Sequence, residues 1–376
     1  MKKILEFLKR YKLRNYDFIL VFLVVSLSII GVVAVSSSDV SLQNKQITGI
    51  VLGCIVMIIV SLLDYSKLLN FYWAYYILAV LLLLGVLVFG SDSHGAQRWL
   101  EIAGITFQPS EISKILIILF YAKFIMVNQK KVKTMGFLFS AIGLLIPPIL
   151  LILKEPDLST TIMLCTIFAM ILFVGGISWK LVAGVLLAGI PSAALIFYLA
   201  LLEDSPILKS YQQERILAWL HPEDFADTTA YQTMNSMMAI GSGQLQGKGY
   251  DTNEISSVLN SGYISESSTD FIFTVIGEEF GFIGSCIVVF LLVAITIKCL
   301  ITAARAKDIA GSVIATGMAV WIGFQGLLNI GVATGALPNT GIPLPLVSSG
   351  LTSIVSVYIG VGFVLNVGLQ QLRKSY

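Results

Sequence analysis

The sequence predicts an all-α polytopic membrane protein: a bundle of about ten transmembrane helices with a large extracellular loop between helices 7 and 8. A mean hydropathy of +0.88, with 56% hydrophobic and only 12% charged residues, lies far outside the range of soluble globular proteins. A spanning helix needs about 20 mostly apolar residues. Such runs lie near 18–36, 47–63, 73–90, 112–127, 136–153, 160–176, 179–201, 271–298, 309–336 and 347–369.

The start of the chain favours an uncleaved first helix. Basic residues precede the run 18–36, and Ala34-Val35-Ser36 resembles a signal-peptide cleavage site. The apolar stretch is longer than a usual signal-peptide core, however, and further spans follow at once. Residues 1–16 carry apolar side chains on one helical face and Lys or Arg elsewhere. This pattern fits either a cytoplasmic amphipathic helix on anionic lipid or a basic topogenic tail.

The distribution of Lys and Arg predicts that both termini are cytoplasmic. Basic residues accumulate before the first run, in alternate connections and in the tail, while the other connections are poor in them. The residues concerned are Lys2, Lys3, Lys9, Arg10, Lys12, Arg14, Lys67, Lys130, Lys131, Lys133, Lys180, Arg305, Lys307, Arg373 and Lys374. Ten spans place all of these on one side of the membrane, whereas an odd count would put one basic cluster outside.

The segment 202–270 is therefore expected to form the large extracellular loop. It holds ten acidic residues against three basic ones, a balance that argues against nucleic acid as a partner. Tyr211–Leu220 and Tyr231–Ile240 mix apolar and polar residues at helical spacing. We therefore expect an ordered structure that packs across the outer face of the bundle.

A first polar cluster precedes and opens the fourth run. Gly95-Ala-Gln97-Arg98-Trp99 is followed by Phe107-Gln-Pro109-Ser-Glu111-Ile-Ser-Lys114. Pro109 suits the first turn of a helix, and Glu111 and Lys114 lie three residues apart, so they share a helix face. The residues alone favour a self-paired salt bridge, with Trp99 as an interfacial anchor, over a functional site.

Two further clusters lie on the same predicted side. In Lys154-Glu155-Pro156-Asp157-Leu-Ser159-Thr160, either Asp157 or Ser159 can cap the sixth helix. The glycine-rich stretch Gly241–Tyr250 contains Lys248, and its backbone amides together with this lysine can hold a phosphate, although the stretch is not a Walker motif.

Asp270 lies where the outer loop meets the eighth run, in Glu266-Ser-Ser-Thr-Asp270-Phe-Ile-Phe. A carboxylate at this boundary is costly unless it is used or satisfied. It can cap the eighth helix, whose dipole would then lower its pKa, or it can act as a base. Capping and catalysis both remain open at this point. The prolines of Leu337–Gly350 break a helix at the same rim, and a broken helix there must line a cavity or be covered by protein.

These clusters, in this order, resemble the SEDS family (shape, elongation, division and sporulation proteins). The resemblance runs from the first helix to the last, so residues 1–376 are expected to form a single membrane domain. Its most specific parts are Gly95–Trp99, Phe107–Lys114, Tyr211-Gln212 with Arg215, Ala239–Gly243 with Gly247–Gly249, Thr269–Phe273 and Thr340–Pro345.

The resemblance implies a peptidoglycan glycosyltransferase that polymerises lipid II on the outer face of the bacterial cytoplasmic membrane. It also implies a class B penicillin-binding protein as partner and makes Asp270 the essential acid. Asn339, Ser349–Thr352 and Glu155 depart from the usual family pattern. The process served, whether elongation, division or sporulation, is therefore left open.

The residues suit such a reaction, in which the 4-hydroxyl of an acceptor GlcNAc attacks the anomeric carbon of a donor MurNAc with inversion. Asp270 is expected to act as general base. Cationic side chains must stabilise the leaving pyrophosphate, and a divalent cation (Mg²⁺ or Mn²⁺) can supplement them. The expected substrate-binding residues are Arg98, Trp99, Glu111, Lys114, Arg215 and Lys248.

Two other functions compete with this one. A lipid II flippase needs polar residues along a path through the membrane and an alternating-access repeat, but the intramembrane charges are sparse and no inverted repeat is visible. A scaffold that only activates a penicillin-binding protein has no need of Asp270. The enzyme is therefore the favoured hypothesis.

Overall fold

The fold is known from a computed structural model that describes residues 15–93, 96–102, 105–200, 210–251, 257 and 264–371. Most of the expected N-terminal amphipathic segment and part of the predicted outer loop lie outside these ranges. The helices are α1 (Phe18–Ser38), α2 (Val40–Leu62), α3 (Tyr65–Leu68), α4 (Tyr72–Phe89), α5 (Pro109–Val127), α6 (Met135–Lys154), α7 (Leu158–Val174), α8 (Trp179–Ala200), α9 (Ser210–Leu220), α10 (Tyr231–Ser242), α11 (Ile272–Ala304), α12 (Ile309–Ala333) and α13 (Leu351–Leu369). The strands are β1 (Ser91–Ser93), β2 (Ala96–Ile102) and β3 (Ile105–Phe107).

Every predicted apolar run coincides with a long helix. Within the described ranges, seven helices are long and apolar enough to cross a membrane. They are α1, α2, the stretch Tyr65–Phe89 that contains α3 and α4, α6, α11, α12 and α13. The helices α5, α7 and α8 coincide with the three remaining predicted runs. The chain is thus a mostly helical, multi-pass membrane protein.

The centre of the bundle is built by α5, α12 and α13, most of whose residues are buried. In contrast, α2 and α4 expose many large apolar side chains, among them Val51, Ile55, Leu81 and Val88. The inner helices meet the outer ones in pairs: α2 packs against α13, α4 against α5, and α11 against both α1 and α12. A lipid-facing shell thus surrounds a core that can hold polar side chains.

Aspartate side chains begin several of these helices. The Oδ1 atom of Asp17 accepts a hydrogen bond from the backbone N of Leu20 at the start of α1, at 3.0 Å. Asp157 does the same for Thr160 N at the start of α7, at 2.9 Å. These bonds satisfy amides that a helix leaves free at its first turn. The capping role predicted for Asp157 is confirmed.

The all-α prediction missed a small antiparallel sheet between α4 and α5. Its strand order is β1-β2-β3, with Ser91 opposite Trp99 and Leu100 opposite Phe107. Two of the strands have only three residues each, so their alternation is weak beside the hydropathy of the flanking helices. The sheet carries Arg98 and Trp99 on its central strand.

The eighth predicted span, 271–298, was expected to be continuous, but α11 is broken at Gly281. This residue has φ +62° and ψ −157°, outside the helical region. The segment Gly243–Gly249 packs beside the break and supplies hydrogen-bond partners to the backbone groups of α11 that the break leaves free. The backbone N atoms of Lys248 and Gly249 donate to the carbonyls of Glu278 and Glu279 at 2.9 and 3.0 Å. Unpaired backbone groups are costly at membrane depth, and these bonds remove that cost.

Two glycines make this close approach feasible. A Cβ atom on Gly281 would lie 2.4 Å from the backbone N of Gly247, and one on Gly247 would lie 2.1 Å from the carbonyl O of Glu279. Both glycines also have positive φ angles, which L side chains rarely adopt. The turn that contains Gly247 can therefore approach the break in α11 only because both positions lack a side chain.

We expect Gly281→Ala to lower the free energy of unfolding by about 2 kcal/mol or more, because it adds backbone strain and a clash with Gly247. Thermal unfolding of the detergent-solubilised protein measures the loss. Gly143→Ala in α6 is the matched control, since a Cβ there meets nothing within 4 Å. Equal melting temperatures for the two variants would show that the break does not require glycine.

Candidate functional site at the Asp270 cavity

A polar cavity of about 510 Å³ opens between the small sheet, α9, α10 and the segments that precede α11 and α13. It is lined by Arg98, Trp99, Gln108, Arg215, Gln232, Ser265, Glu266, Thr269, Asp270, Asn339, Gly341, Pro343, Ser349, Gly350 and Ser353. Four of the seven predicted site residues meet here: Arg98, Trp99, Arg215 and Asp270. Its volume is in the range of small-molecule sites.

Asp270 reaches this cavity from the turn that precedes α11. The N-cap of α11 is Phe271, and no side chain caps this helix. The capping role considered for Asp270 is therefore wrong. Within the described residues its carboxylate accepts no hydrogen bond, and a Cβ atom on Gly341 would lie 3.3 Å from its Oδ2 atom. The carboxylate faces open space instead of a helix end.

The environment of Asp270 raises its pKa from the ordinary value of 3.8 to about 6. Burial is the main cause, because it penalises the charged form, and the Glu266 carboxylate adds to the shift. Arg98 and Arg215 oppose the shift by favouring the anion. The expectation that a helix dipole would lower this pKa is wrong. A carboxylic acid with a pKa near 6 is a better proton acceptor than an ordinary aspartate.

The two arginines are held by backbone carbonyls. Arg98 donates to the carbonyl O atoms of Glu155 and Pro156, at 3.3 and 2.6 Å. Arg215 donates to the carbonyl of Asn339 at 3.4 Å. Carbonyl partners orient a guanidinium group without cancelling its charge. Both side chains thus bring positive charge to the cavity.

Glu155 leaves the charge of Arg98 intact. Its side chain is buried, and burial together with the nearby Asp157 raises its pKa to about 8. At neutral pH it is therefore mostly uncharged and resembles a glutamine in shape and charge. Sequence inspection noted the unusual glutamate here but not this consequence.

The wall opposite Asp270 is the proline-rich segment that precedes α13. The Ser159 hydroxyl donates to the carbonyl of Thr340 at 2.5 Å, and the Ser348 hydroxyl donates to the carbonyl of Thr269 at 2.6 Å. This segment was expected to line a cavity or to be covered by protein because its prolines break a helix. Gly341 and Pro343 do line the cavity.

Glu111 and Lys114 lie outside the cavity lining, buried against α12. The Nζ atom of Lys114 is 2.7 Å from Glu111 Oε1 and 3.2 Å from Gln325 Oε1, and it lies 4.4 Å above the centre of the Trp321 ring. Gln325 in turn donates to the carbonyl of Pro343 at 2.9 Å. The self-paired interpretation of Glu111 and Lys114 matches this geometry, and the pair supports the cavity wall from behind.

Lys248 is also remote from the cavity lining. Its Nζ atom lies 2.7 Å from Glu278 Oε1, where it forms an ion pair with a fully buried carboxylate beside the break in α11. The backbone amides of Lys248 and Gly249 donate to carbonyls of the same helix, so these two amides are not free to hold a phosphate. The structure thus brings Lys248 to a structural contact, and Glu278 is a buried structural partner.

Several residues of the site were not found by inspection of the sequence. Glu266 lines the cavity, and Gln325 and Asn329 lie behind it on one face of α12. Gln325 and Asn329 could have been found from the sequence, because two amide side chains four residues apart inside an apolar run are unusual.

Comparisons with known proteins identify the family of this chain. The family model FTSW_RODA_SPOVE, described as a cell cycle protein, matches residues 11–373. The chain belongs to this family. The peptidoglycan glycosyltransferase MrdB of Escherichia coli K12 is 34% identical over 334 residues, which cover 88% of this chain and 87% of MrdB. A probable peptidoglycan glycosyltransferase FtsW of Geobacter metallireducens is 30% identical, with 95% of each chain covered.

Solved structures in the same family share the fold. One, from work on the structural coordination of polymerization and crosslinking by a peptidoglycan synthase complex, matches with a TM-score of 0.78 at 28% identity. That match covers 94% of this chain and 97% of the other. The rod shape determining protein RodA of Thermus thermophilus matches with a TM-score of 0.69 at 26% identity, covering 96% and 98%.

In this member of the FtsW/RodA/SpoVE family, we expect Lys114→Met to lower the free energy of unfolding by about 3 kcal/mol, because it leaves the Glu111 carboxylate buried without its cation. The double variant Glu111→Gln/Lys114→Met should recover most of that loss. Thermal unfolding in detergent compares the three proteins. A Lys114→Met variant with unchanged stability would contradict the structural assignment of this pair.

Proposed function

We propose that this chain is a peptidoglycan glycosyltransferase that polymerises lipid II into glycan strands on the outer face of the cytoplasmic membrane. The observation that carries the proposal is the Asp270 carboxylate, with its raised pKa, in a polar cavity that Arg98 and Arg215 also line. The names of its relatives support the same activity. Elongation, division and sporulation are the processes such an enzyme serves.

Asp270 is proposed to act as the general base. Its carboxylate takes the proton from the 4-hydroxyl of the acceptor GlcNAc as that oxygen attacks the anomeric carbon of the donor MurNAc. The bond from the anomeric carbon to the pyrophosphate oxygen breaks, its electron pair leaves with the lipid pyrophosphate, and the configuration inverts. Base catalysis of this kind contributes about 10²–10⁴-fold to a rate. A single carboxylate suffices because pyrophosphate leaves without protonation.

Arg98 and Arg215 are proposed to stabilise the pyrophosphate. Both line the cavity with Asp270, and within the described residues neither forms an ion pair, because their hydrogen-bond partners are carbonyl groups. Guanidinium groups match phosphate oxygens in pairs. These two arginines replace Lys114 and Lys248 as the main candidates for this role. Trp99, on the central strand of the sheet, remains a proposed substrate contact.

A divalent cation can take part at the same place. Among the described residues no group of three or more His, Cys, Asp or Glu side chains forms a metal site. Mg²⁺ commonly binds one or two carboxylates together with substrate phosphates and water. Asp270 and Glu266 fit that limited role, and the cation would add positive charge beside the pyrophosphate.

The proposed topology has ten spans with both termini cytoplasmic, and α9 and α10 in the extracellular loop between the seventh and eighth spans. The basic residues of alternate connections support it. A class B penicillin-binding protein is the proposed partner, since a related structure comes from work on a peptidoglycan synthase complex that couples polymerization and crosslinking.

We expect Asp270→Asn to reduce glycan polymerisation from purified lipid II by about 10²-fold or more, because the amide cannot accept the proton.

The wild-type rate should fall about tenfold per pH unit below pH 6, since protonation then removes the base, and it should level off above pH 7. Gel analysis of polymer, with the chain alone and with its penicillin-binding protein, gives both results.

The control is Asp227→Asn, which changes an exposed carboxylate of the same outer segment. An Asp270→Asn variant as active as this control would exclude the general-base role. A wild-type protein that makes no polymer even with its cognate partner would favour the flippase or the scaffold.

A matched pair of variants tests the electrostatics of the cavity. Arg215→Met removes a charge that lowers the pKa of Asp270, so the acid limb of the pH–rate profile should move to higher pH. Glu266→Gln removes a charge that raises this pKa, so the limb should move to lower pH. Each shift should be about 0.5 pH unit or more. Shifts in the same direction would contradict the assignment of the limb to Asp270.

A further inference from the structure

Three consecutive carbonyl groups lead up to α11, and each accepts a hydrogen bond from a facing segment. The carbonyl of Ser268 accepts from the backbone N of Ser349 at 2.9 Å, and that of Thr269 accepts from the Ser348 hydroxyl at 2.6 Å. The carbonyl of Asp270 accepts from the side-chain Nδ2 of Asn329 at 2.7 Å. The catalytic segment is therefore fixed through its main chain.

Asn329 bonds the carbonyl of Asp270 itself and also the opposite wall of the cavity, whereas Ser348, which accepts from the backbone N of Leu344 at 2.7 Å, makes such a link only to Thr269. The same Nδ2 atom donates to the carbonyl of Ile342, also at 2.7 Å. Ile342 adjoins Gly341, the residue that faces the Asp270 carboxylate. One amide group thus spans from the acid to the wall opposite it.

The chemistry of Asn329 suits this task. The side chain is 1% exposed, and its NH₂ group must face the two carbonyls because an amide oxygen there would be repelled. Its Oδ1 atom has no hydrogen-bond partner within the described residues. A buried unpaired oxygen costs free energy. An apolar residue at position 329 would avoid that cost. The contribution of Asn329 is therefore the pair of N–H donors that bind the two carbonyls.

We propose that Asn329 is a positioning residue for glycosyl transfer, whose amide holds Asp270 at a fixed separation from the Gly341–Pro343 wall of the cavity. The proposal rests on the proposed function for its kinetic test but has a structural test of its own. A displacement of about 1 Å at a reacting group can cost about 100-fold in rate.

The first test compares Asn329→Leu with Asn366→Leu. Asn366 is the matched control: it is likewise buried, and its Nδ2 donates to the carbonyl of Ser61 at 2.7 Å, far from the cavity lining. We expect Asn329→Leu to lower kcat by about 10–100-fold with KM changed less than about threefold. Asn366→Leu should lose thermal stability while its kcat stays near wild type.

The variant Asn329→Asp adds a readout that general destabilisation does not produce. A protonated aspartic acid can donate to one of the two carbonyls, whereas an ionised one repels both. The variant should therefore lose rate at high pH, where the wild type stays level, while it keeps the acid limb that Asp270 produces. A profile that stays level at high pH as in the wild type, or equal kcat values for Asn329→Leu and Asn366→Leu, would overturn the proposal.

Hydrogen exchange tests the same contact without any assay of activity. The amides of Phe271, Leu344 and Ser349 should exchange at least about tenfold faster in Asn329→Leu, and stay unchanged in Asn366→Leu. If wild type makes no polymer, the proposed function fails while this result still decides the role of Asn329. Unchanged exchange at these amides in Asn329→Leu would overturn the positioning role.

Discussion

The structure depends on one constraint: where the helical ladder is interrupted inside an apolar environment, each freed backbone group needs a new partner. At Gly281 the carbonyls of Glu278 and Glu279 accept hydrogen bonds from the amides of Lys248 and Gly249. The amides of Phe282 and Ile283, on the other side of the break, donate to the carbonyls of Gln244 and Leu245. This exchange ties α11 to the segment that follows α10. It thereby fixes the helix whose first residues follow Asp270.

The same constraint explains why the cavity wall is so heavily hydrogen-bonded. The proline-rich segment before α13 has no regular structure, so its carbonyls are met by side chains from other elements. Ser159 bonds Thr340, and Gln325 bonds Pro343. A cavity with an irregular wall can therefore remain rigid. Its polar groups face inward, whereas the apolar faces of α2 and α4 meet lipid.

Sequence inspection found those features that depend on neighbouring residues. Hydropathy located the long helices, the i,i+3 spacing paired Glu111 with Lys114, and the resemblance to the family singled out Asp270. It could not find contacts between residues far apart in the chain. Lys248 looked like a free cation because its partner, Glu278, lies 30 residues away. The pKa of Asp270 depends on burial and on charged residues distant in the chain, among them Arg98 and Arg215. Inspection of the sequence therefore predicted a lowered pKa, whereas the structure raises it.

The burial of α5 has a consequence for how the protein enters the membrane. This helix carries a glutamate and a lysine in its first two turns, and most of its surface is covered by neighbouring helices. A charged side chain at the centre of a lone inserting helix costs about 2.5–3.5 kcal/mol, which is an upper limit for these two residues near the start of α5. Arrival together with α4, against which it packs, would shield part of that surface during synthesis. The packing of α5 against α4 thus favours insertion of these two helices as a pair.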